Sequence, residues 1–332
     1  MKVTNDMILP ELRLYGKIFK KIMPSVFNMQ HDINFNPAKI NKKKYSVSFL
    51  KGKCSSRSLI YEQKWIKRPD GSDLRICLYL PKKPVKKPVE KTSGLLWIHG
   101  GGYSFGTPEL EESFIKRFIA ANDCVVVSPD YRLSIDAPYP AALEDCYTAL
   151  LWLNDHCDEY NIRKDQLIAG GDSAGGGLTA ALCLYARDKK EVKIAFQMPL
   201  YPMLDDRNNT ESIKDNDAPV WNEKANCIGW KMYLGSLFET QNVPCYAAPA
   251  RAADFSNLPP AISFVGGVDP FRDETITFMD KLKENNIPVH FKIFEGCFHS
   301  FDFLCTRTKA AKQAVSFLMD SFKYAAENYF AE

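Results

Sequence analysis

From about residue 57 onward, the sequence alternates between short apolar runs and longer segments with helical periodicity. The apolar runs are "GLLWI", "CVVVSP", "LIAG", "IAFQMPL", "AISFVGG" and "VHFKIF". Helical patterns separate most of them, at residues 109–121, 139–156, 174–188 and 273–285. Strands that read as continuous apolar runs are typical of a parallel sheet buried on both faces. We therefore predict an α/β fold with a mostly parallel central sheet covered by helices on both sides.

Four features fall outside this alternation: a hairpin, a connecting stretch, a C-terminal helix and an aromatic-rich region. "LIYEQKWIKRP" and "DLRICLYLP" flank Asp70-Gly71, which predicts a β-hairpin. The lysine- and proline-rich stretch at 81–91 indicates a solvated connection, and "KAAKQAVSFLMDSFKYAAENYF" predicts an amphipathic C-terminal helix. Residues 203 to about 250 show no strand–helix order but are rich in aromatic residues, which favours a cover over the ligand-binding edge of the sheet.

The first 50 residues show apolar side chains at helical spacing: Ile8, Leu12, Tyr15, Phe19, Ile22 and Val26. We interpret this as a helix packed on its own domain, with a position on a membrane surface as the alternative. This stretch has no apolar run of the length found in signal peptides, so we do not expect it to be one, and no stretch approaches the length of a spanning helix.

Composition limits the compartment and the partners. The formal net charge of +3 is too small to favour nucleic acid or an anionic membrane. The ten cysteines lack CxxC pairs or regular spacing, which indicates free thiols in a reducing compartment. We expect a cytoplasmic protein with no nucleic-acid partner and no stable membrane association.

One serine is surrounded by glycines in "DQLIAGGDSAGGGL", residues 165–178. Ser173 follows a predicted strand and precedes a predicted helix, so it must occupy a tight, strained turn. Gly171 and Gly175 leave room where side chains would collide with neighbouring backbone. The Gly-x-Ser-x-Gly pattern alone also fits a phosphate loop or a simple turn, but no Gly-Lys-Ser/Thr follows.

A second glycine motif is more specific. His99-Gly100-Gly101-Gly102 directly follows a predicted strand, and a chain with five histidines and 18 glycines rarely produces it by chance. The N–H groups of Gly101 and Gly102, with that of Ala174, are candidates to bind a developing oxyanion. His99 has no second ligand at metal-binding spacing, so we expect it to hold the loop and expect no metal site.

A serine nucleophile needs a histidine base and an orienting carboxylate. His299 follows the last predicted strand, where a base can reach Ser173. Asp269 lies just beyond another strand, ahead of Pro270, whereas Asp273 and Glu274 read as acids of a first helical turn. The remaining histidines have ordinary explanations: His31, His99, His156 and His290.

These motifs, in this order, resemble the hormone-sensitive-lipase-like branch of the α/β-hydrolase fold. The resemblance rests on "HGGGY" (99–103), "YRLSIDAPYPAALEDC" (131–146), "GDSAGG" (171–176, with Asp172), "LPPAISFVGGVDPFRDE" (258–274) and "HSF" (299–301). The second stretch departs from the family's "YRLAPEHP" at a structural turn. The resemblance implies a catalytic domain over residues 51–332, capped by helical residues 1–50 and an insertion at about 203–250.

The resemblance also implies an activity. We expect hydrolysis of a small-molecule ester of short to medium acyl chain by Ser173, Asp269 and His299, without a cofactor. Candidate acyl contacts are Tyr103, Trp221 and Phe298, each of which could equally be core packing. The sequence leaves the oligomeric state open, with a homodimer as one alternative. An amidase or deacetylase, a lipase acting on emulsions, and a non-catalytic binding relative remain alternatives; in such binding relatives the catalytic histidine is lost.

Overall fold

An eight-stranded sheet forms the centre of the protein, of which the computed structural model describes residues 1–26, 47–83 and 91–331. The strands are β1 (Leu59–Lys67), β2 (Asp73–Pro81), β3 (Thr92–Ile98), β4 (Val125–Pro129), β5 (Ile162–Asp172), β6 (Phe196–Leu200), β7 (Ala261–Gly266) and β8 (Val289–Phe294). Their order in the sheet is β1-β2-β4-β3-β5-β6-β7-β8. The six apolar runs and the parallel sheet predicted from the sequence are confirmed.

The pairing of neighbouring strands is antiparallel at one edge of the sheet and parallel in the rest. β1 and β2 form the predicted hairpin, in register from Leu59 opposite Pro81 to Lys67 opposite Asp73. β2 pairs antiparallel with β4, and from there to β8 every neighbouring pair is parallel. The carboxyl ends of β3 to β8 therefore open on the same edge of the sheet.

Helices cover both faces of the sheet. They are α1 (Arg13–Val26), α2 (Glu112–Asn122), α3 (Ala141–Asp155), α4 (Ala174–Lys189), α5 (Glu223–Leu234), α6 (Arg272–Glu284), α7 (Phe301–Leu304) and α8 (Lys309–Asn328). The apolar side chains of α3, α4 and α6 join one buried cluster, and those of α2 and α8 join another on the opposite face. The predicted C-terminal helix is α8, and α2 begins at Glu112, after a 3₁₀ turn at Pro108–Glu111.

The N-terminal segment and the 203–250 region differ from expectation in detail. In the stripe predicted to pack, Leu12 is fully buried, but Ile22 of α1 is 48% exposed. The region after β6 is not without regular structure, because α5 begins there with the Asn222 side chain accepting from the N–H of Ala225. The lysine- and proline-rich connection lies largely outside the described residues. Among the helices that are described, none has the length and hydropathy needed to cross a bilayer.

Candidate functional site

Four loops that leave parallel strands meet at the carboxyl edge of the sheet. The loop after β3 carries His99 to Gly102, and the turn after β5 carries Ser173. The loops after β7 and β8 carry Asp269 and His299. These residues are far apart in the sequence, but the parallel strands bring them to the same edge of the sheet.

Ser173 has a backbone conformation that L-residues rarely adopt. It lies between β5 and α4 with φ +55° and ψ −118°. Its N–H donates to Leu200 O (2.9 Å), and its carbonyl oxygen accepts from Met203 N (3.0 Å), so the strained turn is fixed from β6. A Cβ at Gly171 or Gly175 would overlap the carbonyl oxygen of Ile98, which explains the two flanking glycines.

The side chains of Ser173, His299 and Asp269 form one hydrogen-bonded chain. The distance from His299 Nε2 to Ser173 Oγ is 2.8 Å, and that from His299 Nδ1 to Asp269 Oδ2 is also 2.8 Å. All three side chains are buried, with exposures of 5% or less. In this arrangement the imidazole can accept the serine proton, while the carboxylate fixes its orientation and tautomer.

Neighbouring groups fix the positions of the Asp269 and His299 side chains. Asp269 Oδ1 accepts from Phe271 N at 2.9 Å, so both carboxylate oxygens have donors. The His299 ring has edge contacts with the rings of Tyr201 and Phe271, each at 5.1 Å between centroids. These contacts leave the imidazole little freedom to rotate away from Ser173.

The glycine loop after β3 lies against the serine turn. Gly101 and Gly102 have φ values of +112° and +57°, and a Cβ at Gly102 would overlap the Trp221 ring. Gly100 N donates to Asp172 Oδ1 at 2.9 Å, which ties the loop to the residue before Ser173. Among the described residues, the N–H groups of Gly101, Gly102 and Ala174 have no acceptor, so all three are free to bind an external oxygen.

Comparisons with known proteins show the family to which the chain belongs. A family model described as the alpha/beta hydrolase fold matches residues 95–303. The chain belongs to the α/β-hydrolase family. It is 33% identical to Esterase LipI of Mycobacterium tuberculosis over 62% of this chain and 65% of LipI, less than two thirds of that relative. It is also 32% identical to an Arylesterase of Saccharolobus solfataricus, over 69% of this chain and 76% of the relative.

Solved structures extend the similarity to nearly the whole chain. The structure entitled Bacterial Heroin Esterase superposes with a TM-score of 0.84 at 29% identity, covering 98% of this chain and 99% of the other. The described residues therefore have the hydrolase fold, and the motifs of the chain place it in the hormone-sensitive-lipase-like branch.

His99 of this hydrolase contacts its own glycine loop. Its Nδ1 lies 2.8 Å from Gly100 O, so Nδ1 carries the proton and donates. Its ring stacks on Tyr131, whose hydroxyl donates to His99 O. Burial lowers the pKa of His99 to about 4, which keeps the ring neutral. No group of three potential metal ligands occurs in the described part of the hydrolase.

The three aromatic candidates for acyl contacts have different surroundings. Trp221 packs on Gly102, and its ring centroid is 6.4 Å from that of His299. Tyr103 is stacked on Tyr233 at 3.8 Å and its hydroxyl donates to Met203 O, so it is part of the packed interior. Phe298 is fully buried and meets Phe19 of α1 edge-on at 6.2 Å.

The remaining sequence candidates lie elsewhere. His156 Nδ1 lies 2.7 Å from Trp152 O at the end of α3, and His290 Nε2 lies 3.1 Å from the Tyr329 hydroxyl. His31 lies outside the described residues. Asp273 and Glu274 are in the first turn of α6, as predicted, and accept from backbone N–H groups of the 203–250 region.

Sequence reasoning did not find the acidic groups that lie behind Ser173. Glu111 and Asp302 are buried near Asp172, and mutual repulsion between Asp172 and each of them raises their pKa values. Burial is the larger cause in each case; it raises the pKa of Asp302 to about 7 and that of Glu111 well above the usual range. Nothing in the local pattern of "ELEE" or "HSFDFL" distinguishes these acids from surface acids.

Proposed function

We propose that this hydrolase is a serine carboxylesterase that acts on small-molecule esters of short to medium acyl chain. The observation that carries the proposal is the pair of 2.8 Å contacts that link Ser173 Oγ, His299 and Asp269. The relatives named esterase and arylesterase support the same class of reaction.

The proposed reaction has two acyl-transfer steps. His299 Nε2 accepts the Ser173 proton as Oγ attacks the ester carbonyl, and the imidazolium is stabilised by Asp269. His299 then protonates the departing alcohol, which leaves an acyl group on Ser173. A water molecule that gives a proton to the same nitrogen then attacks the acyl-enzyme, and His299 returns this proton to Ser173 Oγ as the acid leaves. No step requires a cofactor.

The oxyanion of each tetrahedral intermediate is bound by three backbone donors in this proposal. Gly101 N, Gly102 N and Ala174 N have no acceptor in the part of the chain that the structure describes. Ala174 is also the first residue of α4, so the positive end of the helix dipole faces the same charge. Donors that are fixed before the reaction stabilise the transition state without reorganisation.

We also propose that α1 and the 203–250 region form a helical cap. A cavity of about 180 Å³ lies between them, lined by Phe19, Met23, Val220 and Asn222 among others. Trp221, whose chain neighbours Val220 and Asn222 line this cavity and whose ring centroid is 6.4 Å from that of His299, is our candidate for contact with the ester. The stacking of Tyr103 on Tyr233 and the contact of Phe298 with Phe19 favour structural roles for both.

The expected compartment is the cytoplasm, and a homodimer stays a prediction. All ten cysteines are free and seven of them are buried, which supports a reducing environment.

The test is hydrolysis of p-nitrophenyl esters, from acetate to palmitate, by the wild type and by Ser173→Ala near pH 8. We expect a maximum at short chains and loss of at least about a thousandfold in the variant. A matched p-nitroanilide series measures any amidase activity. A wild type that hydrolyses neither series and does not react with a serine-directed phosphonate would make the chain a binding protein.

A further inference from the structure

Two buried carboxyl groups meet directly behind the proposed nucleophile. The Glu111 and Asp172 side chains form a hydrogen bond with each other. Glu111 Oε2 also accepts from Trp97 Nε1 at 3.1 Å, and Asp172 Oδ1 accepts from Gly100 N at 2.9 Å. Two carboxylates cannot bond to each other without a proton, so one of the two groups must carry it.

The groups around Glu111 indicate where that proton lies. From the elements packed against it, Glu111 faces Asp172 of β5 and Asp302 of α7, both of which carry negative charge when ionised. Tyr131 and Tyr201 also lie near it, Arg117 of α2 acts on Asp302, and no described cation hydrogen-bonds to the Glu111 carboxyl group.

Asp172 has better partners for its charge than Glu111 has. Burial raises the pKa of Asp172 to about 6, whereas the N–H of Gly100, which donates to Asp172 Oδ1 at 2.9 Å, favours its ionised form. Burial and the charge of Asp172 raise the pKa of Glu111 well above its usual value. The backbone donor makes Asp172 the better place for the single negative charge of the pair.

We propose that Glu111 is a positioning residue that acts in its protonated form, donating its O–H to Asp172 so that Asp172 holds Gly100 and the glycine loop in place. The proposal rests on the proposed esterase function, because the loop supplies two of the oxyanion donors. The resulting chain runs from Trp97 through Glu111 and Asp172 to Gly100, with the proton of Glu111 as its central link. Loss of that proton would leave two adjacent anions beside Ser173.

The first test uses an amide as a mimic of the protonated acid. In Glu111→Gln, the carbonyl oxygen can accept from Trp97 and the NH₂ group can donate to Asp172, as the acid does. We expect its kcat to lie within about twofold of the wild type, whereas Glu111→Leu, which has no donor, loses about tenfold or more in kcat with little change in KM. Glu112→Gln, at the next residue along the chain, is the matched control.

These outcomes separate the proposal from its alternatives. Wild-type kcat in Glu111→Leu, or an equal loss in Glu111→Gln and Glu111→Leu, would overturn it. The Ser173→Ala comparison on the same esters tests the esterase function independently, since it does not depend on Glu111.

A second measurement does not depend on activity or on the leucine variant folding. At pH 9, above the pKa values of Asp172 and Asp302, infrared difference spectroscopy of wild type against Glu111→Gln should show the C=O band of a protonated carboxyl group in the wild type only. Absence of that band from the difference spectrum would mean that Glu111 is ionised, and the proposal would be wrong even for an active esterase.

Discussion

Glu109 and Glu111 lie two residues apart in one 3₁₀ turn and are both buried, yet the pKa values of their carboxyl groups shift in opposite directions. Glu109 contacts the Arg75 guanidinium at 2.6 Å and accepts from Thr107 Oγ1 and Gly52 N. Burial would raise its pKa, but these donors lower it to about 2. Glu111 meets an indole and an acid instead, and its pKa rises. Partners, rather than burial itself, set the charge of a buried acid.

The local geometry of the turn explains how neighbours reach such different partners. Glu109 points towards β1 and β2, where Arg75 and the Tyr61 hydroxyl meet it. Glu111 points towards β3 and β5, where Trp97 and Asp172 meet it. The first contact ties the 47–53 segment to the sheet through Gly52, and the second reaches the candidate site.

The largest expected difference between the two glutamates is in stability. Glu109→Gln removes the charge that pairs with the buried Arg75, although Asp130 remains 3.0 Å from Arg75 Nε. We expect the free energy of unfolding to fall by about 2 kcal/mol at pH 7, against less than about 1 kcal/mol for Glu111→Gln. Urea unfolding of both variants measures this. Equal losses of stability in the two variants would mean that the Arg75 guanidinium is not the cause of the difference between Glu109 and Glu111.

The same pair of variants has a pH signature. Because the pKa of Glu109 is lowered from 4.5 to about 2 on folding, its contribution is present above pH 4.5 and is lost as pH falls towards 2. The stability gap between the wild type and Glu109→Gln should therefore shrink over that window. A gap that stays constant down to the acid transition would contradict the assigned ion pair.

Asp302 extends the comparison with an effect of opposite sign. Burial and the charge of Asp172 raise its pKa from 3.8 to about 7, so its ionisation costs the folded state stability as pH rises through that range. Asp302→Asn removes this cost, and we expect its free energy of unfolding relative to the wild type to rise by about 2 to 3 kcal/mol as the pH goes from 5 to 9. Unfolding curves at the two pH values test it; a gain that is the same at both would contradict the raised pKa.

Local sequence pattern predicted those parts of the molecule that depend on chain neighbours. The strands, the strained turn at Ser173 and the positions of Asp269 and His299 just beyond strand ends all follow from residues within a few positions. The parallel sheet then brings the strand ends together, and this explains the 2.8 Å contacts that link His299 to Ser173 and Asp269.

Side-chain partners away from the strand ends were not predictable. The sequence offered no distinction between Tyr103 and Trp221, and both are buried, but Tyr103 stacks on Tyr233 whereas Trp221 packs on Gly102 beside the site. In the same way, only the structure shows that Glu111, in the 3₁₀ turn before α2, and Asp302 of α7 lie near Asp172.

We expect the smallest effect from a substitution of Glu112, the third glutamate of "ELEE". The result also tests the explanation given for Glu109 and Glu111. Glu112 is only half-buried and accepts from Ser55 N at 2.8 Å and from Ser55 Oγ at 2.7 Å, both exposed contacts. Solvent can replace such donors, so Glu112→Gln should change the free energy of unfolding by less than about 0.5 kcal/mol and leave ester hydrolysis unchanged. Urea unfolding and the ester assay measure both quantities. If Glu112→Gln instead lost as much stability as Glu109→Gln, the cause would be the negative charge of the whole turn beside the helix N-terminus, and Arg75, Trp97 and Asp172 would no longer account for the contrast.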